Sequence, residues 1–183
     1  YGPSSEQELT DVLNKYHKVP AQLQDIPAGK KFVMQPTPSN KVLIAPYEAK
    51  QIYMVQYSNR GEKFNPEVEP IRSLYNEYFG GGMNSIVFQE MRESRGLAYS
   101  AWAGIVTGGK VIYPYTVQTQ IATQNDKMMD AIKTFNDIIN NMPESEAAFK
   151  LAKEGIISRL RTDRIIKDNI LWSYIYAQDM GMN

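Results

Sequence analysis

Three consecutive glycines, Gly80, Gly81 and Gly82, constrain the fold more than any other feature of the sequence, because they separate two stretches with helical periodicity. The first stretch follows Asn65-Pro66, and apolar residues recur in it at the three- and four-residue spacing of one helix face. Its members are Val68, Ile71, Leu74, Tyr75, Tyr78 and Phe79. We expect the three glycines to serve backbone geometry, with a positive φ at Gly81 or Gly82, because one helix ends and the next begins within three residues.

A second helix is predicted directly after the glycines. Asn84 is the candidate N-cap, and Val87, Phe88 and Met91 are the residues expected to face inward. Gly96 follows at the C′ position, where glycine often takes a left-handed conformation and ends a helix. We therefore assign Gly96 a structural role as well.

Alternating apolar residues then indicate a β-hairpin, in two runs on either side of Gly108-Gly109. The runs contain Tyr99, Ala101, Ala103 and Ile105 before the glycines, and Tyr113, Tyr115, Val117, Thr119 and Ile121 after them. Two such runs joined by a short connection form antiparallel neighbours.

The N-terminal part is expected to be less regular. A short helix within residues 1–19 has Ser4 or Ser5 as its N-cap, and four prolines between residues 20 and 41 favour an extended linker. We therefore expect a leader helix and Pro-rich linker over residues 1–41 and one domain over residues 42–183. We expect the chain to be a piece of a longer protein, and this domain to be cut short at its C-terminus.

Two short strands, residues 42–44 and 52–57, are predicted at the start of that domain. At its end, amphipathic helices are expected from Met128 to Met142 and from Ser145 to about Arg164, followed by an aromatic helical stretch. Strands that adjoin through tight turns and helices that come in sequential pairs favour an α+β fold. The expected architecture is an antiparallel sheet with paired helices packed on one face.

Composition excludes several classes of function. Twenty basic and twenty acidic residues give a formal net charge of zero, which makes nucleic acid and anionic membranes poor partners. No apolar run approaches the length of a membrane-spanning helix. The chain has no Cys and only one His, His17, so we expect no metal site within it. The sequence leaves the cellular compartment undetermined.

The segment from Tyr75 to Ser100 closely resembles the pitrilysin/insulinase family of zinc metallopeptidases. In that family a run similar to Phe-Gly-Gly-Gly-Met-x-Ser-x-x-Phe-Gln-Glu-x-Arg-Glu-x-Arg-Gly-Leu-Ala-Tyr joins two helices to a strand. The predicted order of elements from about Val42 to Trp172 also agrees with a domain of this family. The resemblance implies the same α+β fold for this chain.

Members of the family hold zinc on a His-x-x-Glu-His helix with a further Glu, and this chain lacks that motif. The chain is therefore similar to the zinc-free, C-terminal half, which closes over the zinc-bearing half and contributes an Arg and a Tyr seven positions apart. The matching residues here are Arg92 and Tyr99, which the resemblance implies are catalytic and bind the peptide substrate.

The spacing of this pair is also chemically sensible, because Arg92 lies in the last turn of a helix and Tyr99 begins the next strand. A guanidinium fork and a phenol hydroxyl are donors suited to a peptide carbonyl. Spacing alone favours a structural role, in which Arg92 pairs with a nearby carboxylate and Tyr99 packs in the sheet, and the resemblance reverses that preference.

The sequence therefore predicts a zinc-free domain of a zinc metalloendopeptidase, inactive by itself, with zinc bound by another domain or subunit of the parent enzyme. One alternative is a structural or assembly domain similar to the zinc-free subunits of processing peptidases. Another is a separate module that binds peptide at an exposed sheet edge.

Overall fold

The computed structural model describes residues 2–167 and 169–182; Tyr1, Asp168 and Asn183, which fall within the predicted leader and domain, lie outside the described residues. The chain forms six helices and three strands in these ranges. They are α1 (Glu6–Tyr16), β1 (Gln51–Ser58), α2 (Glu69–Phe79), α3 (Ile86–Phe88), β2 (Ser100–Val106), β3 (Thr116–Gln124), α4 (Met128–Asn140), α5 (Glu146–Thr162) and α6 (Asn169–Asp179). A π-helix, Gln89–Ser94, continues α3, and short 3₁₀ turns precede α2 and α4.

The three strands form one antiparallel sheet in the order β1-β3-β2. Strand β3 lies in the centre, where Met54 of β1 and Ala101 of β2 both pair with Ile121. The hairpin of β2 and β3 predicted from the alternating residues is confirmed. Its second strand begins at Thr116 rather than Tyr113, because the amide of Tyr113 closes a turn onto the carbonyl oxygen of Lys110.

The core lies between one face of this sheet and the helices. Buried residues of the sheet, such as Ala101 and Ile121, pack with buried side chains of α2, α3, the π-helix and α4. Those helical residues include Phe79, Val87, Met91, Phe135 and Ile138. The opposite face of the sheet is exposed to solvent along β1, where Tyr53 is 65% exposed and Val55 is 66% exposed. The predicted α+β architecture, with paired helices on one face of an antiparallel sheet, is confirmed.

The predicted helices are present, with altered ends. Helix α1 begins after Ser5, which forms a capping box with Glu8. The N-cap of α3 is Ser85 and not Asn84. The Ser85 hydroxyl accepts a hydrogen bond from the amide of Phe88 at 3.3 Å, because Ser85 lies three residues before Phe88, the usual spacing for an N-cap. Helices α4, α5 and α6 follow as expected.

One predicted strand is wrong. Residues 42–44 have no regular structure, and their side chains are exposed by 83% to 86%. A short apolar run forms a strand only where a neighbouring strand satisfies its backbone groups, and nothing in the described chain pairs with this run.

The predicted positive φ at Gly81 or Gly82 is also wrong. Among the described glycines a positive φ occurs at Gly61, Gly96, Gly109 and Gly181. The glycines at 80 and 81 instead permit close approach of backbones. A Cβ on Gly80 would lie 2.1 Å from the carbonyl oxygen of Ala103, and one on Gly81 would lie 2.8 Å from that of Asn76.

Candidate active-site pair

Arg92 lies on the π-helix that follows α3, at the edge of the helical layer. A π-helix contains one more residue per hydrogen-bonded turn than an α-helix, and such turns are frequent at functional sites. It ends at Ser94, and Gly96 follows with a φ of +57°, which turns the chain so that the amide of Leu97 donates to the carbonyl oxygen of Met91 at 2.8 Å. This left-handed conformation agrees with the C′ position predicted for Gly96.

Tyr99 follows three residues later and immediately precedes β2. Its amide donates to the carbonyl oxygen of Ala122 in the central strand at 2.9 Å, which fixes its backbone to the sheet. The hydroxyl of Thr123 donates to the carbonyl oxygen of Leu97, and the ammonium of Lys127 donates to that of Gly96. The Tyr99 side chain is nevertheless 70% exposed. The main chain is therefore held while the phenol stays accessible.

The structure brings Arg92 and Tyr99 together. The guanidinium carbon of Arg92 lies 5.3 Å from the centre of the Tyr99 ring and 5.1 Å from the centre of the Phe88 ring. Both distances are within the range of a cation–π contact. The guanidinium therefore lies over both rings.

Carboxylates compete only weakly for this guanidinium. Its Nε lies 3.7 Å from Oε1 of Glu93, and the two side chains are 44% and 54% exposed. Exposed ion pairs of this kind contribute little to stability. Within the described residues, no hydrogen bond is formed by the Arg92 guanidinium. Arg95, the other arginine of this turn, lies 3.4 Å from Glu90. Arg92 and Tyr99 therefore present several donors at an accessible surface.

A second arginine cluster lies at the other end of β2. Arg72 of α2 donates to both carboxylate oxygens of Glu69, at 2.7 and 2.9 Å, and to the carbonyl oxygen of Ile105 at 2.8 Å. Asn76, one turn further along α2, exchanges two hydrogen bonds with the backbone of Ile105. The side chains of Arg72 and Asn76 are thus used in hydrogen bonds within the protein, and these bonds connect α2 to the edge strand β2.

The titration of Glu69 reflects these contacts. Its partial burial acts to raise the pKa, but hydrogen bonds from Arg72 and Tyr115 outweigh that effect and hold the pKa of Glu69 below its usual range. The same pairing, mainly the hydrogen bond to Glu69, raises the pKa of Arg72. Both groups are therefore charged at neutral pH, which suits a structural ion pair.

The π-helix, the contact of Arg92 with Phe88 and the hydrogen bonds between Asn76 and Ile105 were not predicted from the sequence. Phe88 and Arg92 are four residues apart, a spacing that places side chains on one helix face and so could have indicated the contact. The hydrogen bonds of Asn76 have no such signal in the sequence, because they join residues 29 positions apart.

The donor set of the described chain does not suit zinc. No group of three or more His, Cys, Asp and Glu residues that could hold a metal ion occurs in residues 2–167 and 169–182. The single histidine, His17, is exposed just after α1. Among the helices that the structure describes, none is long and apolar enough to cross a membrane.

Solved structures with a similar fold include the following two proteins. The peptidase M16 inactive domain from Pseudomonas fluorescens is 18% identical, with a TM-score of 0.51 over 74% of this chain and 31% of its own length. A conserved protein from Enterococcus faecalis V583 is 16% identical, with a TM-score of 0.57 over 98% of this chain and 41% of its own length. The present chain therefore spans less than half of either protein.

A search among curated proteins finds no match. A family model, the peptidase M16 inactive domain, matches residues 1–156. This match covers the glycine-interrupted helices, the π-helix and the hairpin that carry Arg92 and Tyr99. On this basis, the chain belongs to the peptidase M16 inactive-domain family.

Proposed function

We propose that this chain is the zinc-free half of a zinc metalloendopeptidase, in which it encloses a peptide substrate and supplies Arg92 and Tyr99 to the active site. Residues 42–183 would form the domain, with residues 1–41 as its leader helix and linker. The zinc-bearing half, on the same chain or on a partner subunit, supplies the hydrolytic chemistry. The observation that carries this proposal is the stacked, accessible Arg92–Tyr99 pair.

The role of the pair follows from its donors. Arg92 presents amino groups in a planar fork and Tyr99 presents one hydroxyl, and both can donate to a single carbonyl oxygen. When the carbonyl carbon is attacked, negative charge develops on that oxygen, so the same hydrogen bonds become stronger. Interactions that are stronger in the transition state than in the ground state raise the rate of the chemical step.

The local structure supports such a role because it orients the pair before substrate binds. The guanidinium of Arg92 lies over the rings of Phe88 and Tyr99, and the backbone of Tyr99 is hydrogen-bonded to the central strand. Donors fixed in advance need little reorganisation during the reaction. The described residues provide no metal-ligand cluster, so the chain by itself is expected to be inactive.

An assembly domain without a catalytic role is the second candidate. The exposed residues Tyr53 and Val55 on the open face of the sheet favour it, because contiguous apolar surface is typical of an interface. Under this alternative, the accessible donors of Arg92 and Tyr99 would have no effect on turnover.

The test is steady-state kinetics of Tyr99→Phe and Arg92→Ala in the full-length enzyme, or in the reconstituted halves. Each variant is expected to lower kcat on the order of 10²–10³-fold, with a smaller change in KM, as found when one donor to an oxyanion is removed. Tyr99→Phe is the cleaner change, because it keeps the ring that stacks on Arg92.

Matched controls are Tyr174→Phe, on an exposed tyrosine of α6, and Arg95→Ala, on the same helical turn as Arg92. Both are expected to leave kcat near the wild-type value. Zinc content and melting temperature are measured for every variant, so that loss of fold is separated from loss of chemistry. Normal turnover of folded, zinc-loaded Tyr99→Phe and Arg92→Ala would refute the catalytic role and favour the assembly domain.

A further inference from the structure

We propose that Phe88 is a positioning residue for Arg92, because its ring orients the guanidinium without occupying any of its N–H donors. The structural part of this inference concerns only contacts within the chain. Its kinetic consequence rests on the function proposed for Arg92 above.

The ring of Phe88 lies beneath the guanidinium at 5.1 Å, and that of Tyr99 lies at 5.3 Å. A ring face attracts a cation through its quadrupole, and arginine also stacks on it through its planar group. The guanidinium therefore contacts two rings, from residues separated by eleven positions. The N–H groups of the fork form no hydrogen bond within the described residues, so they stay available to a ligand.

Phe88 is well suited to act as the fixed member of this arrangement. It is the last residue of α3, between Val87 and Met91, whose side chains are both fully buried. Its amide donates to the Ser85 hydroxyl at 3.3 Å. The backbone that carries Phe88 is thus anchored in the core, whereas the side chain of Tyr99 is 70% exposed.

Glu93 provides no equivalent restraint. It contacts only Nε of Arg92, at 3.7 Å, and more than half of its side chain is exposed. Water and salt screen a pair of this kind. A closer carboxylate would also occupy the donors that a substrate carbonyl needs, whereas a ring face leaves them available.

The first experiment measures the contact itself by NMR of arginine-labelled full-length protein. Protons held over aromatic rings experience ring-current shifts, so the side-chain signals of Arg92 are expected to lie upfield of those of Arg95. Phe88→Leu should move the Arg92 signals downfield and leave Arg95 unchanged, while Phe88→Tyr should keep both in place. Unchanged Arg92 signals in folded Phe88→Leu would overturn the inference.

The second experiment is a double-mutant cycle on kcat. Phe88→Leu is expected to lower kcat by roughly 3- to 10-fold, the size of a cation–π contribution at a partly exposed site, with little change in KM. In the Arg92→Ala background the same substitution should have no further effect, because its target is absent. Phe88→Tyr should retain activity, and Phe64→Leu, which alters a half-buried ring elsewhere, is the control.

The outcomes separate this inference from the proposed function. If Phe88→Leu lowers kcat equally with and without Arg92, Phe88 has only a general structural role and the inference is wrong. If Arg92→Ala leaves kcat unchanged while Phe88→Leu shifts the Arg92 signals, the catalytic role of Arg92 fails and its positioning by Phe88 stands. Melting temperatures within a few degrees of wild type confirm that each variant is folded.

Discussion

The two ends of β2 are both flanked by an arginine from a preceding helix, but the two arginines are bonded in different ways. At the C-terminal end, Arg72 donates to Glu69 and to the carbonyl oxygen of Ile105. At the N-terminal end, Arg92 is stacked on rings, and its closest carboxylate contact is 3.7 Å from Glu93. At the C-terminal end the arginine is held by hydrogen bonds within the protein, whereas at the N-terminal end the donors of the arginine stay accessible.

The difference shows that one strand can have an arginine held by hydrogen bonds at one end and an arginine with accessible donors at the other. An unpaired strand edge must be covered. Helix α2 covers the edge of β2 through Arg72 and Asn76 at Ile105 and through the close approach of Gly80 to Ala103 in the middle of the strand. With that end fixed, the π-helix at the other end can present an arginine that contributes little to stability. Arg92 thus combines contacts to two rings with donors that form no hydrogen bond within the described residues.

The largest structural effect is expected from Gly80→Ala. The new Cβ would lie 2.1 Å from the carbonyl oxygen and 2.6 Å from the amide nitrogen of Ala103, and these backbone atoms cannot move aside without separating α2 from β2. We expect a loss of about 3 kcal/mol or more in the free energy of unfolding. Denaturant unfolding of the full-length protein measures it.

Gly82→Ala is the control, because its Cβ would come no closer than 3.8 Å to the end of the Glu77 side chain. It should change stability by only a few tenths of a kcal/mol. Equal stabilities of the two variants would show that the close contact between α2 and β2 does not hold this edge.

A smaller change in stability is expected at the Arg72 cluster when the pH is lowered and the carboxylate of Glu69 is protonated. The pKa of Glu69 is lower in the folded protein, so its pairing stabilises the fold fully above the unfolded value, about 4.3, and this contribution is lost as pH falls through the folded value. Wild type should therefore exceed Glu69→Gln in melting temperature at pH 7, by an amount equivalent to about 1 kcal/mol or less.

The difference should shrink progressively below about pH 4, as the carboxylate is protonated. Melting curves of both proteins at pH 7, 5, 4 and 3 and constant ionic strength test this, with Glu67→Gln, on an exposed neighbour, as the control. A difference that stays constant or grows towards low pH would contradict the assigned pairing.

The sequence predicts the C-terminal end of β2 less well than the helices around it. Periodicity and capping residues suffice for α2, α4, α5 and the hairpin, because those signals lie within one segment. The hydrogen bonds between Asn76 and Ile105 and the requirement for glycine at position 80 depend on contacts between residues distant in sequence. The local glycine pattern therefore led to a wrong explanation, a positive φ at Gly81 or Gly82. Residues 42–44 show the same limit, since their β-propensity acts only beside a partner strand.

The N-terminal end of β2 was predicted more closely. The positions of Arg92, Gly96 and Tyr99 suggested two side chains converging across a chain reversal, and the structure places them in contact. The π-helix could not be predicted, because the sequence carries the same apolar spacing as an ordinary helix there. Phe88 was accordingly expected to face inward, whereas its ring is only half-buried and contacts Arg92.

The most direct test of this account compares Arg72→Met and Arg92→Met in the proposed full-length enzyme, with kcat and melting temperature measured for both. Arg92→Met should lower kcat on the order of 10²-fold and leave the melting temperature unchanged. Arg72→Met should cost about 1–3 kcal/mol of stability, because it removes the hydrogen bonds from Arg72 to the Glu69 carboxylate and to the carbonyl oxygen of Ile105, while the folded protein keeps near-normal kcat. Normal turnover of Arg92→Met, or a loss of activity in both variants that follows their melting temperatures, would contradict the account.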